Sequence, residues 1–346
     1  MNTVKSKWEL QVLAILALIF GIKYTQPVLF PILFSFFLYL LVSPIYEWLV
    51  KVKIPKVAAA ALIIFSFLGL ISSAITFFVQ PATQWVGNAP ANIKIIEQKF
   101  NFVKNSLGKL SKVAETAQNM TEVTQDKNKI KVTTRESSLG SSLFDLTTNI
   151  IIMLFTILIF LFFFLLYFKQ FIRNLEQVIH NRRRTAKENA FLTSLKNEVS
   201  DYMFTFTLIC AGLGVIMGFV FWILGMPNPI LWGGMVMLLT YIPYVGHLIG
   251  IITIFFISLI TFDSYFSIFA PPIIYFLFTV LEGQFITPIL LGSRLDINPL
   301  LIFLNIFLWS WLWGIAGIFI SVPPLIMIKI ILEHLKTDVK YELLLI

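Results

Sequence analysis

From Ile230 to Ile260 the chain reads ILWGGMVMLLTYIPYVGHLIGIITIFFISLI, an apolar run broken at its centre by Tyr241-Ile242-Pro243-Tyr244-Val245-Gly246. About 20 apolar residues suffice to cross a bilayer as a helix, so the run is too long for one simple span. A Pro/Gly break also strands backbone N–H and C=O groups, each costing several kcal/mol in hydrocarbon. It persists only where protein buries it or a wet cavity hydrates it. A second run, Leu300 to Leu332, is interrupted by Trp313-Gly314-Ile315-Ala316-Gly317 and then by Pro323-Pro324. Each run is introduced by the same dipeptide, Asn228-Pro229 and Asn298-Pro299, and each follows one ordinary span, a weak internal repeat. Paired, interrupted hydrophobic segments of this kind point to the binding region of a transporter. The pattern predicts two re-entrant hairpins entering from opposite faces of the membrane. The alternative is a pair of tilted, kinked spanning helices.

The rest of the chain agrees on the solvent. Of 346 residues, 58% are hydrophobic and 13% charged, with 35 Phe and a mean hydropathy of +0.86. A soluble domain carries roughly twice that charged fraction. The fold class expected is an all-α membrane protein, a polytopic helical bundle of about eight membrane segments, two of them broken. The apolar runs are Trp8–Ile22, Val28–Val50, Val57–Val79, Leu146–Phe168, Tyr202–Leu224, Ile230–Ile260, Phe266–Ile289 and Leu300–Leu332. The first follows Lys5 and Lys7 but lacks a small-x-small cleavage site, so it reads as a retained helix rather than a leader. The implied organisation is N-terminal spans over 1–80, a polar extracytoplasmic segment over 81–145, a span over 146–168, a basic cytoplasmic segment over 169–200, and a transport core over 201–346. Ile93, Ile96, Phe100, Val103 and Leu107 recur at helical spacing in the outer segment, and Thr121–Ser142 reads as loop.

Orientation follows from Lys and Arg in short loops. Placing the N-terminus in the cytoplasm brings Lys51, Lys53, Lys56 and Arg182–Arg184 inside, and the hairpin arrangement adds Arg294, Lys329, Lys336 and Lys340. Both termini are then cytoplasmic. The net charge of +8 is thereby a topology and headgroup signal, with lipids as partners and no nucleic acid.

Within the broken core, Glu282 is the one acid well inside an apolar span, and intramembrane carboxylates are costly and usually functional. It reads as a proton or cation site, or as a structural carboxylate bonded to a helix break or paired with Arg294. His247, just past the first break, is either a pH-sensitive element or a polar helix cap. Thr287 and Asn305 offer side-chain oxygens to a solute. Pro243, Tyr244, Gly246 and Gly314 form the breaks themselves. Asn228 and Asn298 read best as helix caps ahead of proline. Gly214 and Gly218 form a G-x-x-x-G pair suited to close packing within the protomer. Trp232, Trp309, Trp311 and Trp313 read as lipid-facing bulk or interfacial anchors, and Glu47 as interfacial. Three His, one Cys, no H-E-x-x-H and no Walker A loop argue against an enzyme, and neither a cofactor nor a metal site is expected.

The same residues carry a family resemblance. Gly225-Met226-Pro227-Asn228-Pro229-Ile230-Leu231-Trp232-Gly233, Tyr241–Gly246, Glu282-Gly283-Gln284-Phe285-Ile286-Thr287-Pro288, Leu312–Gly317 and Ser321-Val322-Pro323 resemble, in this order, the AI-2E family of transporters. The strong match covers Tyr202 to Leu332. The resemblance implies an inner-membrane permease of about eight helices, working without ATP hydrolysis as a homo-oligomer. It also implies export of a small polar signal such as autoinducer-2, or exchange of a monovalent cation for protons. A passive channel or a membrane scaffold is the alternative. This chain has His247 where the pattern has proline, Glu-Gly-Gln for Glu-Gly-Asn, and bulky Trp309 and Trp311 ahead of the Trp-Gly pair.

Overall fold

The computed structural model describes residues 3–99, 139–179, 191–292 and 297–336. Every regular element among the described residues is helical, and six helices are long and apolar enough to cross a membrane. The chain runs through α1 (Thr3–Tyr24) and α2 (Gln26–Lys51), then α3 (Lys56–Ala74), a π turn (Ile75–Val79) and α4 (Gln80–Gly87). A further helix, α5, covers 89–99. Next come α6 (Leu139–Ile179) and α7 (Phe191–Ile223).

α2 and α7 form the spine. In its best apolar window α2 is 44% buried, against 6% for the peripheral α3–α4 rod. Pro44 inside α2 has no N–H for the Leu40 carbonyl one turn back. The Ser200 hydroxyl of α7 donates to that carbonyl instead, at 2.5 Å, and lies 2.6 Å from the Ser43 hydroxyl. Lys196 donates to Glu47 at 2.8 Å in an ion pair one turn away. Residues 47, 43 and 40 thus pair with 196 and 200, which makes the two helices antiparallel. Leu40, Ala59, Ala60, Leu161, Leu165 and Val199 pack into the core between α2, α3, α6 and α7.

Helices overrun the apolar windows. The span expected to end at Val79 continues to Gly87, that expected over Leu146–Phe168 runs from Leu139 to Ile179, and that expected from Tyr202 starts at Phe191. Residues 139–142 are therefore helix and not loop, while 169–179 continue α6 and 191–200 begin α7. Polar residues such as Lys169 and Asp201 mark where the apolar stripe stops. Backbone hydrogen bonding does not stop there, because it needs no apolar side chain. Ile93 and Ile96 lie on α5 as expected; Phe100, Val103, Leu107, Arg182–Arg184 and Arg294 fall outside the described residues.

The two broken runs fold as helical hairpins. α8 (Pro229–Thr240) and α9 (Val245–Thr261) are the arms of the first. At 1.5 Å per residue the 12-residue α8 is about 18 Å long, short of the roughly 30 Å hydrocarbon core. Both ends of this hairpin meet the α4–α5 end of the bundle. Trp232 near its start packs edge-on against Trp85, with centroids 5.3 Å apart. Lys99 donates to the Leu259 and Phe262 carbonyls at 2.9 and 2.6 Å and pairs with Asp263 at 3.1 Å near its finish. α10 (Tyr265–Leu281), a second π turn (Glu282–Ile286) and α11 (Thr287–Leu291) return the chain toward the far end. There α12 (Pro299–Ile320) and α13 (Val322–Lys336) begin and finish the second hairpin. Ile326 and Ile330 of α13 join the core with Leu195 and Val199 near the start of α7. The first hairpin opens beside the finish of α7 and the second beside its start, so they enter from opposite ends.

Glycines permit the closest approach. Gly233 of α8 sits where a Cβ would lie 2.6 Å from the Gly214 carbonyl oxygen and 2.8 Å from Gly218 Cα. The G-x-x-x-G pair is thus a packing surface within the chain, as its spacing predicts. Large apolar side chains such as Phe65, Val215, Phe266, Ile289 and Phe307 remain exposed on many sides, the surface of a protein whose solvent is lipid.

Candidate functional site

The hairpin tips are built alike. At the first, Tyr244 has φ +60° and ψ −57°, and the Val245 N–H donates to the Pro243 carbonyl at 2.7 Å. This is a γ-turn of the rare, strained hand, centred on a non-glycine residue. Gly246 follows with its α-carbon against the Leu239 carbonyl, where any Cβ would collide. At the second tip, Gly314 adopts φ +64° and ψ −144°, a region open essentially to glycine alone. Gly317 then packs on the Trp309 carbonyl in the same manner. Pro243, Tyr244, Gly246 and Gly314 are therefore turn-makers.

The first tip carries His247 against Glu282. The imidazole Nε2 lies 3.8 Å from Glu282 Oε2. Glu282 is 5% exposed and accepts a hydrogen bond from the Thr287 hydroxyl at Oε1. The intervening π turn is explained by Pro288, which has no N–H for the Gln284 carbonyl, so the helix widens by one residue. That widening brings Thr287 and Glu282, five residues apart, onto one face. The π turn at Ile75–Val79 likewise precedes a proline, Pro81.

Asn305 is elsewhere and otherwise engaged. Its amide donates to the Ser321 carbonyl at 2.6 Å and its oxygen accepts from Trp309 Nε1 at 3.1 Å, binding the two arms of the second hairpin. The structure therefore brings together Glu282, Thr287 and His247, with Pro243, Tyr244 and Gly246 just beyond, and leaves Asn305 and Gly314 in the second hairpin. The two groups touch. Ile242 of the first tip packs with Ile302 and Ile306 of α12, and Tyr244 stacks on Phe303 at 5.9 Å.

Two tryptophans correct the anchoring expectation. Trp232 and Trp313 are buried; the first donates to the Pro227 carbonyl at 2.8 Å, the second to the Ile22 carbonyl at 3.2 Å. Trp232 follows the Asn228 turn and Trp313 sits at the Gly314 break, and each bend turns the indole inward, where its N–H needs a partner. Trp311 alone stays half-exposed, beneath Lys23 at 4.2 Å. Asn298 caps α12 by accepting from the Leu300 N–H at 2.9 Å. Asn228 makes no side-chain cap and instead supplies a left-handed backbone turn.

Sequence reading missed Tyr275 and Tyr202. Tyr275 stands seven residues before Glu282, two helical turns along the same face, a spacing that would have flagged it. Tyr202 lies on α7, which reads as an ordinary span. Both tyrosines and the Cys210 thiol are buried.

A family model, that of the AI-2E family transporter, matches residues 12–337. The chain belongs to the AI-2E transporter family. It is 25% identical over 349 residues to a Haemophilus influenzae relative whose transport role is itself inferred, covering 97% of this chain and 95% of that one. It is 23% identical over 327 residues to TqsA of Escherichia coli, an AI-2 transport protein, covering 91% and 88%. With YrrI of Bacillus subtilis the match is 30% over 146 residues, or 42% of this chain and 41% of that one. A match to a Borreliella burgdorferi relative likewise spans 40% of its length. For this AI-2E family member, a bacterial multi-pass membrane protein follows from the family and from the apolar helices.

Proposed function

We propose that this AI-2E family member is a secondary transporter of the bacterial inner membrane, with both termini cytoplasmic. Its cargo is a small polar signal such as autoinducer-2, or a monovalent cation exchanged for protons. One observation carries the reading: two helical hairpins open toward opposite ends, and the tip of the first, holding His247 against buried Glu282, packs on the shaft of the second. Half-helix ends at such tips offer partial charges, and irregular backbone at this depth is characteristic of a solute site. Glu282 is the coupling carboxylate, held by Thr287. Lys51, Lys53, Lys56 and Lys196 gather at the end away from α4–α5, which supports a cytoplasmic assignment for that end. The relative TqsA supports autoinducer-2 as cargo, and the family resemblance supports a homo-oligomer.

The test is autoinducer-2 movement in proteoliposomes under an imposed proton or sodium gradient. Saturable, gradient-driven accumulation that falls at least tenfold in Glu282→Gln is expected. Non-saturating flux indifferent to either gradient would replace the carrier with a passive channel.

A further inference from the structure

The second hairpin reaches far into the bundle. From Pro299 to Trp313 the shaft of α12 is about 21 Å long at 1.5 Å per residue. Its base lies beside the start of α7, whereas Trp313 at its tip meets Phe30, about 31 Å along α2 from Lys51. The first tip packs instead on Ile302, Phe303 and Ile306, within the first two turns of α12. The hairpins therefore lie side by side in opposite senses, one tip toward each end of the molecule.

The second tip is held by the bend between α1 and α2. There the ladder of α1 stops, with the Thr25 N–H returning to the Gly21 carbonyl at 3.0 Å. The Ile22 carbonyl is met by the Thr25 hydroxyl at 3.3 Å and by the Trp313 indole N–H at 3.2 Å. Lys23 Nζ stands 4.2 Å from the centroid of the Trp311 ring, a cation–π contact. Phe30 meets Trp313 edge-on at 6.1 Å, and Trp313 meets Trp309 likewise at 5.1 Å. Trp309 donates to Asn305, and Asn305 to the Ser321 carbonyl. The grip on the tip is thus linked to the junction of α12 with α13.

This grip comes from one side. Leu312 and Trp313 turn toward the core, but Phe307, Trp311 and Ile315 are 77%, 51% and 76% exposed. α1 is equally bare, with Leu10, Leu13 and Phe20 exposed. Gly314, whose backbone angles are open essentially to glycine alone, provides the swivel next to Trp313. The indole N–H has no substitute partner in hydrocarbon. It can leave the Ile22 carbonyl only where water reaches it, so release of the tip and entry of water at that end are one event.

We propose that the α1–α2 bend is a strap on the second hairpin tip. With Trp313 on Ile22 and Trp311 under Lys23, the tip is shut at the end away from Lys51 and Lys196. Letting go opens the path there. The proposal rests on the transporter reading above and adds the element that gates one end of its path.

Electron–electron double resonance on the full chain in lipid nanodiscs tests it. The spin labels go on Tyr24→Cys and Ile315→Cys, both exposed positions, with Cys210→Ala removing the native thiol. Two distances are expected, the shorter one dominant. Trp313→Phe keeps the ring and loses the N–H, and Lys23→Met keeps the stem and loses the charge. Each should raise the longer-distance fraction roughly two- to tenfold. A single distance, identical in all three proteins, overturns the proposal and makes the bend a fixed joint. Flux in proteoliposomes is read separately. Passive conductance with two distances removes the carrier and keeps the strap, whereas gradient-driven flux with one fixed distance removes the strap alone.

Discussion

Gly233→Ala tests the closest contact in the fold. The added methyl would lie 2.6 Å from the Gly214 carbonyl oxygen, 2.8 Å from Gly218 Cα and 3.0 Å from Gly218 N. All three are backbone atoms of α7, so no side chain can rotate away. Carbon and oxygen settle near 3.3 Å at the shortest, so α8 must retreat by about 0.7 Å. That loosens the packing of both helices along their shared length, at a cost of about 1–3 kcal/mol. Alanine also favours helix by up to about 1 kcal/mol over glycine, which partly conceals the loss. The control removes this ambiguity. Gly212 is helical on the same α7 and nothing lies within 4 Å of a Cβ there, so Gly212→Ala collects the propensity gain alone. The difference between the two variants isolates the close approach, a factor of roughly 5 to 150 in the folded-to-unfolded ratio. Unfolding by SDS titration in mixed micelles measures it, and Trp232, beside the substitution, reports the local change. Equal stability of the two variants would refute the α7–α8 contact.

Three further outcomes follow from contacts already described. Lys99→Met leaves the Leu259 and Phe262 carbonyls without their cation; amide exchange over 256–264 should rise several-fold while that over α2 stays unchanged. Ser200→Ala leaves the Leu40 carbonyl, which Pro44 cannot serve, with only the longer 3.3 Å bond from the Ser43 hydroxyl, so stability in the same SDS titration should fall by about 0.5–1.5 kcal/mol, with no further loss when Pro44 is replaced by alanine. Trp313→Phe removes the indole bond to the Ile22 carbonyl but keeps the edge contact with Phe30 at 6.1 Å. Amide exchange over 20–26 should therefore rise without general unfolding.

The broken runs were legible because their interruptions are local. Pro243 and Gly314 announce a chain reversal through their own backbone preferences, and the length of each run does the rest. Glu282 was legible because a charge in apolar sequence stands out. Helix ends were not, since Lys169, Asp201 and Gln80 end an apolar window without ending a helix. Trp232 and Trp313 misled because an indole suits both an interface and a buried site with a carbonyl partner, and only the tertiary bend selects between them. Tyr275 was hidden by its chemistry: a tyrosine in a Phe-rich span looks like bulk until Gly250 on the facing helix makes room for its hydroxyl. Pairings across more than a hundred residues, such as Lys99 with Leu259, leave no trace in local pattern at all.

The widened turn at Glu282–Ile286 has a bearing on how relatives are aligned. Each residue added to or taken from a helix rotates everything beyond it by about 100°. Deleting one residue here, Gln284 for instance, would restore ordinary winding and swing Thr287 away from the carboxylate it now holds. The flanking sequence would look untouched. A single-column gap at this place between two relatives is therefore a change in the direction a whole helix end faces, and the residues to compare across it are those that share a face, not those that share a column.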